Sequence, residues 1–155
     1  MQFDKTISGR VVTPLKVIDN GCIGIKSGKI AKVDKIKNFS LSINHSDFGN
    51  SFIFPGIIDG QTHSGSYLGF KGIESTSRSA ICGGITTIVD MPYDNPSPIT
   101  NIDLLREKIR AIKEFAICDI ALYGTVLPGE GISNVRRMID SGIVAIKVSS
   151  IENHP

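Results

Sequence analysis

From Phe52 onward the chain repeats one pattern: a short run of apolar and β-branched residues, then a stretch of helical periodicity, then the next run. Ile85-Thr86-Thr87-Ile88-Val89-Asp90 is the clearest of the runs. A strand so rich in β-branched residues on both faces belongs inside a parallel sheet covered on both sides. Ile102, Leu105, Ile109 and Ile112 then recur on one helical face, and Thr100 with Asp103 has the spacing of a capping box. Further strands are predicted over 52–59, beginning or bending at Pro55-Gly56, and over 117–126 and 143–148, with further helices over 73–82 and 132–141 and Gly83-Gly84 and Gly142 as stops. Strands joined through helices form right-handed βαβ units. Four of them make either a small doubly wound sheet or half of a (β/α)8 barrel, since a closed barrel takes about 250 residues.

The first fifty residues have another rhythm. Cys22-Ile23-Gly24-Ile25-Lys26 and Lys29-Ile30-Ala31-Lys32-Val33 alternate in character around Ser27-Gly28, which predicts a β-hairpin with a two-residue turn. Residues 44–50 are polar and suggest a junction. The expected organisation is therefore a β segment over 1–51 and about four βα units over 52–155.

Charge and cysteine content exclude several classes. Residues 1–50 hold eight Lys or Arg against four Asp or Glu, but no aromatic residues interleave with the lysines, so this reads as a solvated hairpin surface and not as a nucleic-acid site. Neither a signal peptide nor a span of about 20 apolar residues is visible, which leads us to expect a cytoplasmic protein with no membrane partner. Cys22, Cys82 and Cys118 are odd in number and far apart, as expected of reduced, mostly buried thiols.

Chemistry-bearing residues gather where predicted strands end: Asp59-Gly60-Gln61-Thr62-His63 after the first, Asp90-Met91-Pro92 after the second, Lys147 at the fourth. Parallel α/β proteins place their sites at those ends. Two side chains on alternate residues of a strand end share a face, so a pair with this spacing can hold one metal ion. The loop residues Asp90, Tyr93, Asp94 and Asn95 are open to either substrate contact or turn chemistry. His45 and His154 fit no such spacing and read as surface residues.

Pro55-Gly56-Ile57-Ile58-Asp59-Gly60-Gln61-Thr62-His63 resembles the P-G-x-[IV]-D-x-H-x-H signature of the amidohydrolase superfamily. Gly83-Gly84-Ile85-Thr86-Thr87-Ile88-Val89-Asp90-Met91-Pro92 resembles a segment of its cyclic-amide branch, which includes hydantoinases, dihydropyrimidinases, allantoinases and dihydroorotases. The resemblance covers essentially the whole chain. It implies an α/β architecture: a small N-terminal β-sandwich segment followed by the first half of a metal-dependent-hydrolase TIM (β/α)8 barrel. It also implies two divalent cations per site, zinc foremost, held here by His63, by Gln61 in place of the family's first histidine, and by Lys147 as a carboxylated bridge. Such a pair activates water against a ring amide.

Asp59 would order the loop behind the ligands, and Tyr93 and Asn95 would touch the substrate. In the family the proton-transfer aspartate and two further histidines lie on later strands. No catalytic residue is therefore expected within these residues, and the chain alone is expected to be inactive and to self-associate or need a complementing fragment. In the family's dihydroorotase and allantoinase branches an arginine commonly follows within a few residues; the loop Ser64 to Lys71 has none, so a hydantoin- or dihydropyrimidine-like ring is a better expectation than dihydroorotate. A non-catalytic relative that works by assembling with partners is the alternative, favoured by Gln61.

Overall fold

The computed structural model describes residues 2–127 and 132–148. The chain divides after Pro55 into two compact units.

The first unit is a four-stranded sheet in the order β3-β2-β1-β4, formed by β1 (Lys5–Val12), β2 (Val17–Lys26), β3 (Lys29–Lys35) and β4 (His45–Ile53). β2 and β3 make the hairpin expected from the alternation, with Lys26 opposite Lys29. Its turn residues Ser27 and Gly28 both have positive φ, 50° and 72°, the left-handed pair of a type I′ turn. The polar stretch read as a junction is instead β4, which lies parallel to β1 and pairs Thr6 with His45 and Ser8 with Asp47. Polar residues suit an edge strand whose outer side faces water.

His45 is not a bare surface residue either. Its ring lies 2.9 Å from Thr6 Oγ1 and 3.2 Å from Ser8 Oγ, half-buried between two buried hydroxyls. His154 lies outside the described residues. Among the cysteines, Cys22 is buried and Cys118 half-buried as expected, but Cys82 is exposed at the end of its helix.

The second unit is a parallel sheet in the order β5-β6-β7-β8, built of β5 (Ile57–Thr62), β6 (Ile85–Asp90), β7 (Asp119–Thr125) and β8 (Ala145–Lys147). The connecting helices are α1 (Gly72–Cys82), α2 (Ile102–Phe115) and α3 (Ser133–Asp140). The run Phe52 to Asp59 is therefore not one strand. Phe52 and Ile53 pair with Arg10 and Val11 in the first sheet, Pro55 removes a ladder donor, and the second sheet begins at Ile57.

Ile99, Ile102, Leu105, Leu122, Met138 and Ile143 form the core, where α2 and α3 pack against β7. The helical stripe read from the sequence is thus the buried face. Its cap is not Thr100, however. Asn101 Oδ1 accepts the backbone N–H groups of Asp103 and Leu104, at 3.0 and 3.1 Å. Asn is as good a cap as Thr, and here it occupies the extended position directly before the helix. Asn101→Ala should cost about 1 kcal/mol in urea unfolding, whereas Thr100→Ala should leave the helix cap unaffected.

Candidate functional site

Parallel register fixes which residues share an edge. Thr62 pairs with Asp90, Asp90 with Leu122, and Thr125 with Lys147. Gln61, His63, Asp90 and Lys147 thus all stand at or beside the C-terminal ends of adjacent strands. Here His63, Ser66, Tyr67, Tyr93, Asp94, Asn95, Pro96 and Pro98 line a cleft of about 690 Å³. Tyr93 and Asn95 share that cleft with His63, while Gln61 is exposed on β5 and Lys147 half-buried on β8.

Asp59 has a local task. Its Oδ1 accepts the Gln61 N–H at 3.0 Å, bracing the irregular β5 backbone that presents Gln61 and His63. The Lys147 carbonyl accepts the Thr125 hydroxyl at 2.7 Å, which ties β8 to β7.

Hydrogen bonding decides what the His63 ring can do. The Ser66 hydroxyl donates its single proton to the Tyr93 carbonyl at 2.7 Å, and Ser66 Oγ lies 3.1 Å from His63 Nδ1. With its proton already used, Ser66 Oγ can only accept from the ring. A neutral His63 is therefore protonated on Nδ1 and keeps a lone pair on Nε2. This is how an imidazole is prepared to be a metal ligand, through a bond from its other nitrogen.

The donor set fits part of a metal site: an imidazole with Nε2 available, a carboxamide two residues earlier and a lysine on the same edge. Among the described residues, no group of three His, Cys, Asp or Glu could hold a metal by itself.

Behind the cleft lies a network that the sequence reading did not find. Lys108 of α2 is 0% exposed. Its ammonium lies 2.8 Å from Asp90 Oδ2, 2.8 Å from Asp94 Oδ2 and 3.0 Å from Asp94 Oδ1, and it donates to the Met91 carbonyl at 3.1 Å. Asp90 also accepts the Ser64 N–H at 2.8 Å and the Ser64 hydroxyl. Asp90 is thus buried behind the cleft and Asp94 is buried in its wall, both engaged with lysine. The signal for Lys108 was present in the sequence, because Ile102, Leu105, Lys108 and Ala111 follow one another at spacing three and all are buried.

One ammonium faces two carboxylates. Burial pushes the Asp94 carboxyl above its ordinary range, against the pull of Lys108. A carboxyl whose folded pKa is raised stabilises the fold fully below its unfolded pKa, and that stability is lost as pH rises through the folded value. Asp34 and Asp47 act in the opposite sense, each held low first by a backbone N–H, so their contribution is lost as pH falls. Melting temperatures of wild type and Asp94→Asn measured from pH 3 upward isolate the Asp94 effect. The difference should shift in favour of Asp94→Asn as pH rises above the ordinary aspartate range of about 4, then level off. A pH-independent difference would show that Asp94 is not held as described.

Fold and site together define a class: a parallel half-barrel of βα units with a histidine-containing cleft at the strand C-termini, the position of active sites in (β/α)8 enzymes. No protein-family model matches the chain. It is, however, 30% identical to an allantoinase of Bacillus licheniformis over 95% of its own length and 33% of that relative's. It is 34% identical to an L-hydantoinase of Paenarthrobacter aurescens, over 94% of its length and 32% of the relative.

Among solved structures, the L-hydantoinase (dihydropyrimidinase) of Arthrobacter aurescens matches 99% of the chain with a TM-score of 0.83 and 29% identity, covering 36% of that protein. A D-hydantoinase with a TM-score of 0.70 and 23% identity shares the fold. The chain belongs with the cyclic amidohydrolase branch, at the N-terminal portion, and has its small β segment followed by the first half of its barrel. It spans about a third of the length of the curated relatives it matches.

Proposed function

We propose that this chain forms part of the active site of a metal-dependent hydrolase that opens cyclic amides, with a hydantoin- or dihydropyrimidine-like ring as the preferred substrate class and allantoin or dihydroorotate as the other candidates. The observation that carries the reading is the His63 ring, held by Ser66 so that Nε2 keeps its lone pair. In this reading His63, Gln61 and Lys147 contribute to holding divalent cations, zinc foremost, with Lys147 as the carboxylated bridge. When bound, the metal supplies Lewis acidity toward the ring carbonyl and lowers the pKa of water.

The chain's own residues shape the site around that chemistry. Asp59 braces the strand end, and Tyr93 and Asn95, which line the cleft with His63, would contact the ring. Assembly with further copies or with a complementing polypeptide, in the cytoplasm, belongs to the same proposal. Among the described residues no helix is long and apolar enough to cross a membrane.

Gln61 supports a second reading, a relative that assembles without turning over, because a neutral carboxamide is a weaker zinc ligand than imidazole. A chimera in which residues 1–148 replace the matching segment of the L-hydantoinase separates the two. Metal-dependent opening of hydantoin, lost in His63→Ala, is the expected result. A folded, metal-loaded chimera that opens none of hydantoin, dihydrouracil, allantoin and dihydroorotate would establish the non-catalytic reading.

A further inference from the structure

We propose that Lys108, buried on α2 and not itself among the cleft-lining residues, is a positioning residue that fixes the tautomer of His63 through two hydrogen-bonded routes converging on its ring. The first route runs from the ammonium to Asp90 at 2.8 Å and from Asp90 to both the backbone N–H and the hydroxyl of Ser64, the residue following His63. It holds the end of β5. The second runs from the ammonium to Asp94, the residue following Tyr93. The Tyr93 carbonyl takes the Ser66 proton and so obliges Ser66 Oγ to accept from His63 Nδ1. A bond from the Asn95 N–H to the Gly65 carbonyl, 3.0 Å, fastens the same two loops together between these routes.

The geometry gives Lys108 this leverage because its single ammonium faces both carboxylates. Remove it and the two buried carboxylates, then without their cation, repel each other or draw in water or a proton. Asp94 and the Tyr93 carbonyl beside it lose their anchor. Ser66 is then free to turn its proton toward His63 Nδ1, and the ring can take its proton on Nε2, where a metal would bind. A hydrophobic core lysine without this connection would affect stability but not the ring. The inference deepens the proposed function by giving the free Nε2 its use, but the tautomer is a property of the metal-free chain and can be tested without activity.

The experiment is nitrogen-15 NMR of the histidine rings in the 155-residue chain at a pH where His63 is neutral, with His63 assigned by the loss of its signals in His63→Gln. Wild type should show the Nδ1–H form as the major species. Ser66→Ala, which removes the acceptor directly, should make it the minor one, and Lys108→Met should do the same. Leu105→Ala, a core truncation on the same helix, should lower the melting temperature and leave the ring unchanged.

If Lys108→Met does not fold, Asp94→Ala is measured in its place, because it cuts the second route while leaving Lys108 and Asp90 as a balanced pair. A major Nε2–H form in either variant supports the proposal. An unchanged ring in whichever variant is measured overturns it while leaving the proposed function standing. A wild-type ring already protonated on Nε2 overturns both the proposal and the ligand geometry on which the proposed function rests.

Discussion

Asp90→Ala is expected to destabilise the second unit by about 3–5 kcal/mol, the usual cost of breaking a buried pair by removing one partner. Asp90 is 0% exposed and its two oxygens serve three donors: the Lys108 ammonium, the Ser64 N–H and the Ser64 hydroxyl. Alanine leaves the Ser64 donors buried without an acceptor, and each such orphan costs about 1–3 kcal/mol. Lys108 keeps Asp94 as partner, so the charge is not stranded entirely.

Domains of this size are stable by about 5–15 kcal/mol in total, and the loss should therefore be large enough to move the urea midpoint well outside error. Asp90→Asn keeps two acceptor lone pairs and much of the shape, and should cost less than half as much. Urea unfolding of the three proteins, followed by circular dichroism, measures both differences. A cost below 1 kcal/mol for Asp90→Ala would mean that the network is not held shut as described.

How much of this was legible in the sequence follows from where the physics is local. Strand periodicity and the order of βα units depend on the neighbours of each residue along the chain, so β6, α1 and the stripe of α2 were found close to their observed limits. The hairpin turn was legible for the same reason. β4 was not, because its polar composition is unremarkable until β1 lies beside it and pairs Thr6 with His45. Its neighbour Pro55 was seen, but only the register of Phe52 against Arg10 assigns that residue to the first sheet.

In the site, the resemblance singled out His63, Gln61 and Lys147 one at a time. It could not supply the Ser66 bond that sets the ring, because Tyr93 lies 27 residues away in sequence from Ser66. Lys108 was hidden by its type. A lysine in a helix is read as solvated, and only its spacing of three from Leu105 and Ala111 argued otherwise.

Gly72→Ala sets two physical effects against each other, and the site decides which wins. Gly72 is the first residue of α1, with φ −66° and ψ −20°, an ordinary helical conformation that alanine adopts without strain. Helix propensity alone therefore predicts that alanine stabilises, by up to about 1 kcal/mol. Yet a Cβ there would stand inside 3.0 Å of the Ser64 carbonyl oxygen. That oxygen cannot easily retreat, because the Ser64 N–H and hydroxyl are both fixed to buried Asp90, which Lys108 holds in turn.

Overpacking against such a backbone typically costs about 1–3 kcal/mol, more than the propensity returns. The net expectation is a loss of about 1–2 kcal/mol, accompanied by displacement of the β5–α1 loop that carries His63 and Ser66. In the Asp90→Ala background Ser64 is no longer pinned, so the same substitution should cost less there. The double-mutant cycle should show a coupling of about 0.5 kcal/mol or more between two residues that are not in direct contact. Strict additivity in that cycle, or a Gly72→Ala protein more stable than wild type, would show that the Ser64 carbonyl is free to move and that the cleft is not braced from behind.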